Sequence, residues 1–260
     1  MVLHNPDPLL QHLIEQQWPT AQAGGHFFAL PGLSGNSIHV QTEQGELLAR
    51  RAPLQPIPFV DRQREFRVLR KMRHAPLGPV PVRWYQPWLL QSWLAGTVLT
   101  PEQFNQQQVA VLALLQRLHQ QPLTGYRLRL TPLLQRYWQL CQQRHWRWQH
   151  RLRRLLKQGE PQPLRLAPVH MDIHAGNLIA TPHGLRLIDW EYAADGDVAL
   201  ELAVLCAVDG EHESDWIAGY AHQNQPNEKV LTRQMRRWQP WLQLLTASWY
   251  PRRPDRKSSV

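Results

Sequence analysis

Residues 170–177 read HMDIHAGN, and Asp189 follows twelve positions after Asn177 in the segment LIDWE. Between them, NLIA (177–180) and LRLI (185–188) flank TPHG, a pattern that predicts a β-hairpin. The midpoint of Asn177 and Asp189 is residue 183, inside that turn. A hairpin centred there brings one end back beside the other, and paired strands lie about 5 Å apart. Asn177 and Asp189 are therefore expected as neighbours at the open end. Asp172 lies on the loop that feeds the same point. Whatever fold this chain takes has to present that hairpin end.

An amide oxygen beside a carboxylate is a hard-oxygen pair suited to Mg²⁺. An acid, an asparagine five residues on, and a second acid closing a hairpin is the order that protein kinases use for phosphoryl transfer. On that reading Asp172 accepts or orients the proton of an acceptor hydroxyl, while Asn177 and Asp189 hold the metal on the nucleotide phosphates. A rival reading takes His170, Asp172 and His174 as zinc or iron ligands, because on a strand they share one face. It leaves Asn177, the hairpin and Asp189 without a role and supplies no plain fourth ligand. A polar surface loop is the third reading.

The chain around this stretch changes character. Strands are predicted at 26–30 and 37–40, flanking PGLSGN, and at 46–51, with two more short strands within 84–96. A helix is expected at 7–18. Another is expected at 59–74, with Val60, Phe66, Leu69 and Met72 on its apolar face. After Gly96 helices prevail. One opens on the capping box Thr100-Pro101-Glu102-Gln103 and is expected to run to about Gln121; another is expected over roughly 132–157. VALELAVLCAV starts a helix with Asp197 as its cap, and the last amphipathic helix is expected at 235–249. This distribution predicts an α+β chain with two parts: 1–95, a small antiparallel sheet, and 96–250, mostly helical, with 251–260 as a disordered tail.

Composition bounds the function. Hydrophobic residues make up 43% and charged residues 19%, which excludes a disordered chain. The net charge of +9 favours anionic partners. The arginine clusters at 62–73, 144–154 and 233–237 are interleaved with apolar residues at helical intervals and read as solvated helix faces, with anion binding as the alternative. Cys141 and Cys206, outside any C-x-x-C arrangement, read as buried free thiols. MVLHNPDPLL lacks a basic segment followed by an apolar run, so a cytoplasmic protein without a membrane or nucleic-acid partner is expected. A polyanion-binding protein with a degenerate site is the remote alternative.

The segments VHMDIHAGNLI and GLRLIDWEYAADGDVALELA resemble the catalytic core of the aminoglycoside phosphotransferase and choline kinase family. The resemblance spans LSGNS to RRWQPWL and implies a two-lobed protein-kinase-like fold, ATP and Mg²⁺ as cofactors, and a small-molecule alcohol as acceptor. It makes PGLSGNS the loop over ATP, with Ser34, Gly35 and Asn36 closest, because a small turn lets backbone N–H groups approach phosphates. It also implies a strand cation on the phosphates paired with a helix acid, Arg51 with Glu65, although strand alternation lets only one of Arg50 and Arg51 point inward. QSWLAG would be the hinge at adenine, with Trp93 in it. The acceptor the resemblance implies is thiamine, whose cationic ring calls for aromatic faces and carboxylates. His174, Trp190, Glu191, Trp238 and Trp241 are its candidate contacts. His170 and Asp197 are expected to brace the catalytic loop. Choline, an aminoglycoside or a sugar remain open as acceptors.

Overall fold

The computed structural model describes residues 7–18, 26–30, 37–141, 145–224 and 227–249. The phosphate-loop candidates Ser34, Gly35 and Asn36, and the tail 251–260, lie outside these. The chain forms two compact units. The first holds the residues up to Phe104 together with Ala175–Ala193; the second holds Asn105–His174 and the residues from Ala194 on.

In the first unit, helix α1 (Pro8–Gln17) starts where Asp7 accepts a hydrogen bond from the Leu9 amide at 2.9 Å, with proline just inside the start. Strands β1 (His26–Leu30), β2 (Ser37–Thr42), β3 (Gly45–Arg51), β4 (Pro81–Tyr85) and β5 (Trp88–Ser92) form one sheet in the order β1-β2-β3-β5-β4, antiparallel throughout. Leu10, Leu13 and Ile14 of α1 bury with Phe27, Ile38, Val40, Leu47, Ala49, Trp88 and Leu90. Leu47 and Ala49 therefore assign one face of β3 to α1. Arg51 shares that face, since side chains alternate along a strand. Arg50 points to the other.

Helix α2 (Arg62–Met72) is capped by Asp61, which accepts from the amides of Gln63 and Arg64 at 2.8 and 3.0 Å. Its buried stripe is Arg62, Glu65, Val68, Leu69 and Met72, whereas Val60 and Phe66 are only half-buried. The apolar pattern missed that two charged residues complete the stripe.

A smaller sheet joins β6 (Thr97–Val98), β8 (Leu178–Thr181) and β9 (Gly184–Leu187). The hairpin has the pairs Leu178–Leu187 and Thr181–Gly184, so Pro182 and His183 form a two-residue turn. The Ile188 amide donates to the Asn177 carbonyl at 3.0 Å. The register is thus centred half a residue earlier than expected. Asn177 lies opposite Ile188, and Asp189 follows one residue on. Trp190 folds back under the hairpin, its Nε1 donating to the Leu187 carbonyl at 2.9 Å.

Helix α3 (Pro101–Gln106) opens on the expected capping box, with reciprocal bonds between Thr100 and Gln103 of 2.9 and 3.2 Å. The helix expected to reach Gln121 is interrupted at Gln107 and resumes in the second unit as α4 (Gln108–His119). The long helix expected over 132–157 is two, α5 (Leu130–Leu140) and α6 (Trp146–Gln158). Strands β7 (Leu166–Val169) and β10 (Ala194–Asp197) pair antiparallel. Helices α7 (Val198–Val208), α8 (Glu213–Asn224) and α9 (Glu228–Trp249) complete the unit. α7 is buried over nearly its whole surface, which is why its sequence is apolar all round. Among the described residues no helix is long and apolar enough to cross a membrane.

Gly78 leaves no room for a side chain. A Cβ there would stand 2.5 Å from Trp190 Nε1 and 2.7 Å from the Leu187 carbonyl oxygen. Gly78→Ala is expected to destabilise the protein by about 1–3 kcal/mol, read as a lower midpoint in chemical denaturation; an unchanged midpoint contradicts this packing.

Candidate active site

The first unit buries a cluster of charge. Arg50 Nη1 donates to Glu65 Oε1 at 2.5 Å, and its Nη2 donates to Asp189 Oδ1 at 2.5 Å and reaches Glu191 Oε2 at 3.4 Å. Arg62 Nη1 donates to Glu65 Oε2 at 2.7 Å and to Glu191 Oε2 at 2.9 Å. Two guanidiniums thus share three carboxylates. Burial works against the Arg50 charge, but Glu65, Asp189 and Glu191 outweigh it and hold its pKa above the ordinary arginine value. The strand cation paired with Glu65 is therefore Arg50, not Arg51. Arg51 lies on the α1 face, 3.9 Å from Asp7 and over the Trp88 ring.

Asp189 adopts a left-handed backbone conformation, with φ 63° and ψ 62°. Aspartate tolerates this region better than most residues, and the turn sends its carboxylate to Arg50. Its side chain stays 31% exposed, while Asn177, on the other strand at the open end of the hairpin, is buried. The two are hard-oxygen donors on flanking ends of one hairpin, which fits a divalent cation. The neighbours of Asp189 take structural positions. Trp190 is 1% exposed, and Glu191 belongs to the arginine cluster. The Glu191 carbonyl accepts from Arg64 at 2.5 Å, and the Arg64 guanidinium lies 3.7 Å from the Phe59 ring centroid. Trp93 stacks on His39 with centroids 3.7 Å apart, and His39 in turn bonds Glu46 at 2.7 Å.

The second unit carries Asp172. His174 Nε2 stands 3.7 Å from Asp172 Oδ1, and both side chains are more than a third exposed. Met171, just before Asp172, has φ 68°. Its amide donates to Glu201 Oε1 at 2.8 Å, and the His170 amide donates to the same oxygen at 2.5 Å. The acid that ties down this loop is Glu201, not Asp197. Asp197 caps α7 through the Ala199 amide at 3.2 Å and accepts from Trp238 Nε1 and Gln234 Nε2 at 2.8 and 2.7 Å. Trp238 and Trp241 belong to the buried stripe of α9. Trp190, Glu191, Trp238 and Trp241, expected at the acceptor, are thus core or charge-cluster residues. Their sequence signal was aromatic and acidic character near the motif, which packing also uses. Glu201, Arg62 and Arg64 carried no signal beyond a charge inside a helical pattern.

Among the described residues no group of three or more His, Cys, Asp or Glu is arranged to hold a metal ion, so the His170–Asp172–His174 triad does not form. Both cysteines are free; Cys206 is buried and Cys141 only half-buried. Burial, with Glu213 and Asp209 nearby, pushes the Cys206 thiol up to about 12.

The model of the phosphotransferase enzyme family (APH) matches residues 29–241. The chain belongs to that family. Among its phosphotransferase relatives, thiamine kinase of Escherichia coli K12 is 39% identical over 247 residues, covering 94% of this chain and 86% of that protein. Thiamine kinase of Shigella sonnei is 41% identical over 222 residues, covering 84% and 79%. Among solved structures, choline kinase LicA from Streptococcus pneumoniae superposes with a TM-score of 0.71 at 16% identity, over 95% of this chain and 93% of that one. An ADP-bound aminoglycoside phosphotransferase APH(2'')-Ib gives 0.64 at 14% identity, over 97% and 94%. The fold is therefore the expected α+β, protein-kinase-like one.

The cluster yields a paired expectation. Arg50→Gln leaves Asp189 without its buried cation and Glu65 with Arg62 alone, and should cost about 3 kcal/mol of stability, whereas Arg51→Gln should cost less than about 1 kcal/mol. Urea denaturation of both variants tests the assignment; the reverse order would return the role to Arg51.

Proposed function

We propose that this phosphotransferase is an ATP-dependent kinase that phosphorylates the primary hydroxyl of thiamine to give thiamine phosphate. The observation that carries the reading is the ordered set Asp172, Asn177 and Asp189 on a chain 39% identical, over 94% of its length, to the E. coli thiamine kinase. Asp172 accepts or orients the acceptor's hydroxyl proton, and His174 at 3.7 Å orients the Asp172 carboxylate. Asn177 and Asp189 are the residues that would hold Mg²⁺. Bound there, the ion neutralises charge on the nucleotide phosphates. Arg50, fixed by Glu65 and Asp189, is the cation whose charge faces those phosphates. Ser34, Gly35 and Asn36 offer backbone N–H groups to ATP, and Trp93 borders the adenine hinge.

In this proposal residues 1–95 bind nucleotide and 96–250 supply catalysis and the acceptor pocket. Compactness groups the chain differently, taking Ala175–Ala193 with the first unit. Asn177 and Asp189 thus belong with Arg50, and Asp172 with the acceptor side. The partner is a small molecule, and the proposed location is the cytoplasm. Neither nucleic acid nor membrane is required.

The test is ATP consumption with Mg²⁺, with and without thiamine, followed by mass analysis of the product. Thiamine-dependent turnover to a monophosphate is expected. Turnover with choline, an aminoglycoside or a sugar but not thiamine would refute the acceptor. Asp172→Ala should lower kcat by roughly a thousandfold or more while nucleotide binding persists. Asp189→Ala should abolish turnover and weaken Mg²⁺-dependent nucleotide binding. Retained turnover in the Asp189 variant would overturn its metal role.

A further inference from the structure

We propose that α6 and α9 of the second unit form a docking surface for an anionic lipid bilayer. The kinase reading above does not enter this inference, and no group in it belongs to the candidate active site.

α6 carries Arg147, Arg151, Arg153, Arg154 and Lys157, and α9 carries Lys229, Arg233, Arg236 and Arg237. All of these side chains are exposed. The one carboxylate on either helix is Glu228. Among the described residues none of these cations forms an ion pair. Arg237 bonds the Gln234 Oε1 at 3.2 Å, and the Arg147 guanidinium lies 5.6 Å from the Trp146 ring centroid. On a helix face that meets only water, cations gain from carboxylates three or four positions away, and like charges at that spacing destabilise the helix. Arg147 and Arg151, Arg153 and Lys157, Lys229 and Arg233, and Arg233 and Arg237 each stand four apart. An anionic partner relieves that repulsion.

The two helices lie side by side and antiparallel. Near the start of α6, Trp148 Nε1 donates to the Leu244 carbonyl at 3.3 Å. Just past its end, the Gln162 carbonyl accepts from Gln234 Nε2 at 2.7 Å. α6 packs through Leu152 and Leu155, and α9 through Leu231, Met235, Trp238 and Trp241. The cations lie opposite those stripes and face solvent. Trp146, the first residue of α6, is 68% exposed. α9 ends at Trp249, at the same end of the pair, and the sequence continues as YPRRPDRKSSV, with Arg252, Arg253, Arg256 and Lys257 against Asp255. Along α9, Lys229, Arg233, Arg236 and Arg237, with Glu228 and Thr232, line a hollow of about 530 Å³, the size of a small-ligand site.

Shape and the exposed indole select a bilayer among polyanions. Two packed helices span roughly 20 Å, whereas a duplex major groove of about 12 Å admits one helix. Single-stranded nucleic acid is held on successive aromatic platforms, and Trp146 is the one exposed ring among the described side chains of these helices. A bilayer surface needs only a broad cationic face, and an exposed indole settles at headgroup level. No helix has to cross the membrane for such adsorption.

The test is sedimentation of the full chain with vesicles of phosphatidylcholine alone or with about one-third phosphatidylglycerol. Binding to the phosphatidylglycerol vesicles only is expected. It should be lost on raising salt from about 0.1 M to about 1 M, where screening shortens from about 10 Å to about 3 Å. The triple variant Arg147→Gln, Arg151→Gln, Arg154→Gln should bind roughly a hundredfold more weakly, about fivefold per arginine. Lys229→Gln, Arg233→Gln, Arg236→Gln should lose a comparable factor, and it keeps the test if the first triple does not fold. Trp146→Ala should weaken binding severalfold. Arg70→Gln, Lys71→Gln, Arg73→Gln removes the same charge from the exposed side of α2 and should change binding less than about threefold. Turnover should stay within about twofold in every variant, because none of these residues lies in the site. Equal binding to both kinds of vesicle, or an equal loss in the α2 triple, would overturn the proposal. Tighter binding to a labelled RNA or DNA duplex than to vesicles would give the face to nucleic acid instead. Release from vesicles by millimolar glycerol phosphate would reduce it to a small-anion site.

Discussion

A guanidinium taken out of water has to be met by carboxylates, and in the first unit that requirement gathers residues from three parts of the chain. Arg50 comes from β3, Arg62 and Glu65 from α2, and Asp189 and Glu191 from the end of the β8–β9 hairpin. Removing Arg50 would leave Asp189 without its guanidinium and Arg62 to face Glu65 and Glu191 alone, and breaking a buried pair costs more than the pair contributes. The cluster therefore fixes how the helix and the hairpin end stand against the sheet. It also fixes which way Asp189, proposed to hold the metal, faces.

Charge is also spent on strain. Among the described residues, three that are not glycine have positive φ: Phe59, Met171 and Asp189. Each is held by a charged group. Arg64 bonds the Phe59 carbonyl and covers its ring, Glu201 accepts the Met171 amide, and Arg50 takes the Asp189 carboxylate. Such backbone states cost about 1–3 kcal/mol each and last only where the surroundings over-determine them. Met171 adjoins the proposed catalytic residue Asp172, and Asp189 is a proposed metal holder. Phosphoryl transfer is mostly a matter of positioning, and these bonds hold the backbone at the residues proposed for it.

The tryptophans show the opposite economy. Trp190 and Trp238 lie near the motif and on the last helix, where an aromatic wall for a cationic acceptor was expected. Their indole N–H groups instead go to the Leu187 carbonyl and to Asp197. A buried tryptophan has both a large apolar face to cover and one donor to satisfy, and these two sites meet both needs within the core.

The sequence by itself determined the local elements and the order of the candidate site residues. The turn TPHG, the capping box at Thr100 and the cap Asp197 are short-range signals, because the groups that bond are within a few residues of each other. The spacing from Asp172 to Asn177 and Asp189 was legible for the same reason, to within the one residue by which the hairpin register differs. Only the tertiary structure decided between Arg50 and Arg51. In LLARR both faces of the strand carry apolar residues, so alternation could not say which face meets α1 and which meets Glu65. Only the tertiary structure, likewise, brought Glu201 to the amides of His170 and Met171 and to His119. Those partners are separated by 30 to 82 positions along the chain, and no local pattern encodes a bond that forms only when distant helices pack.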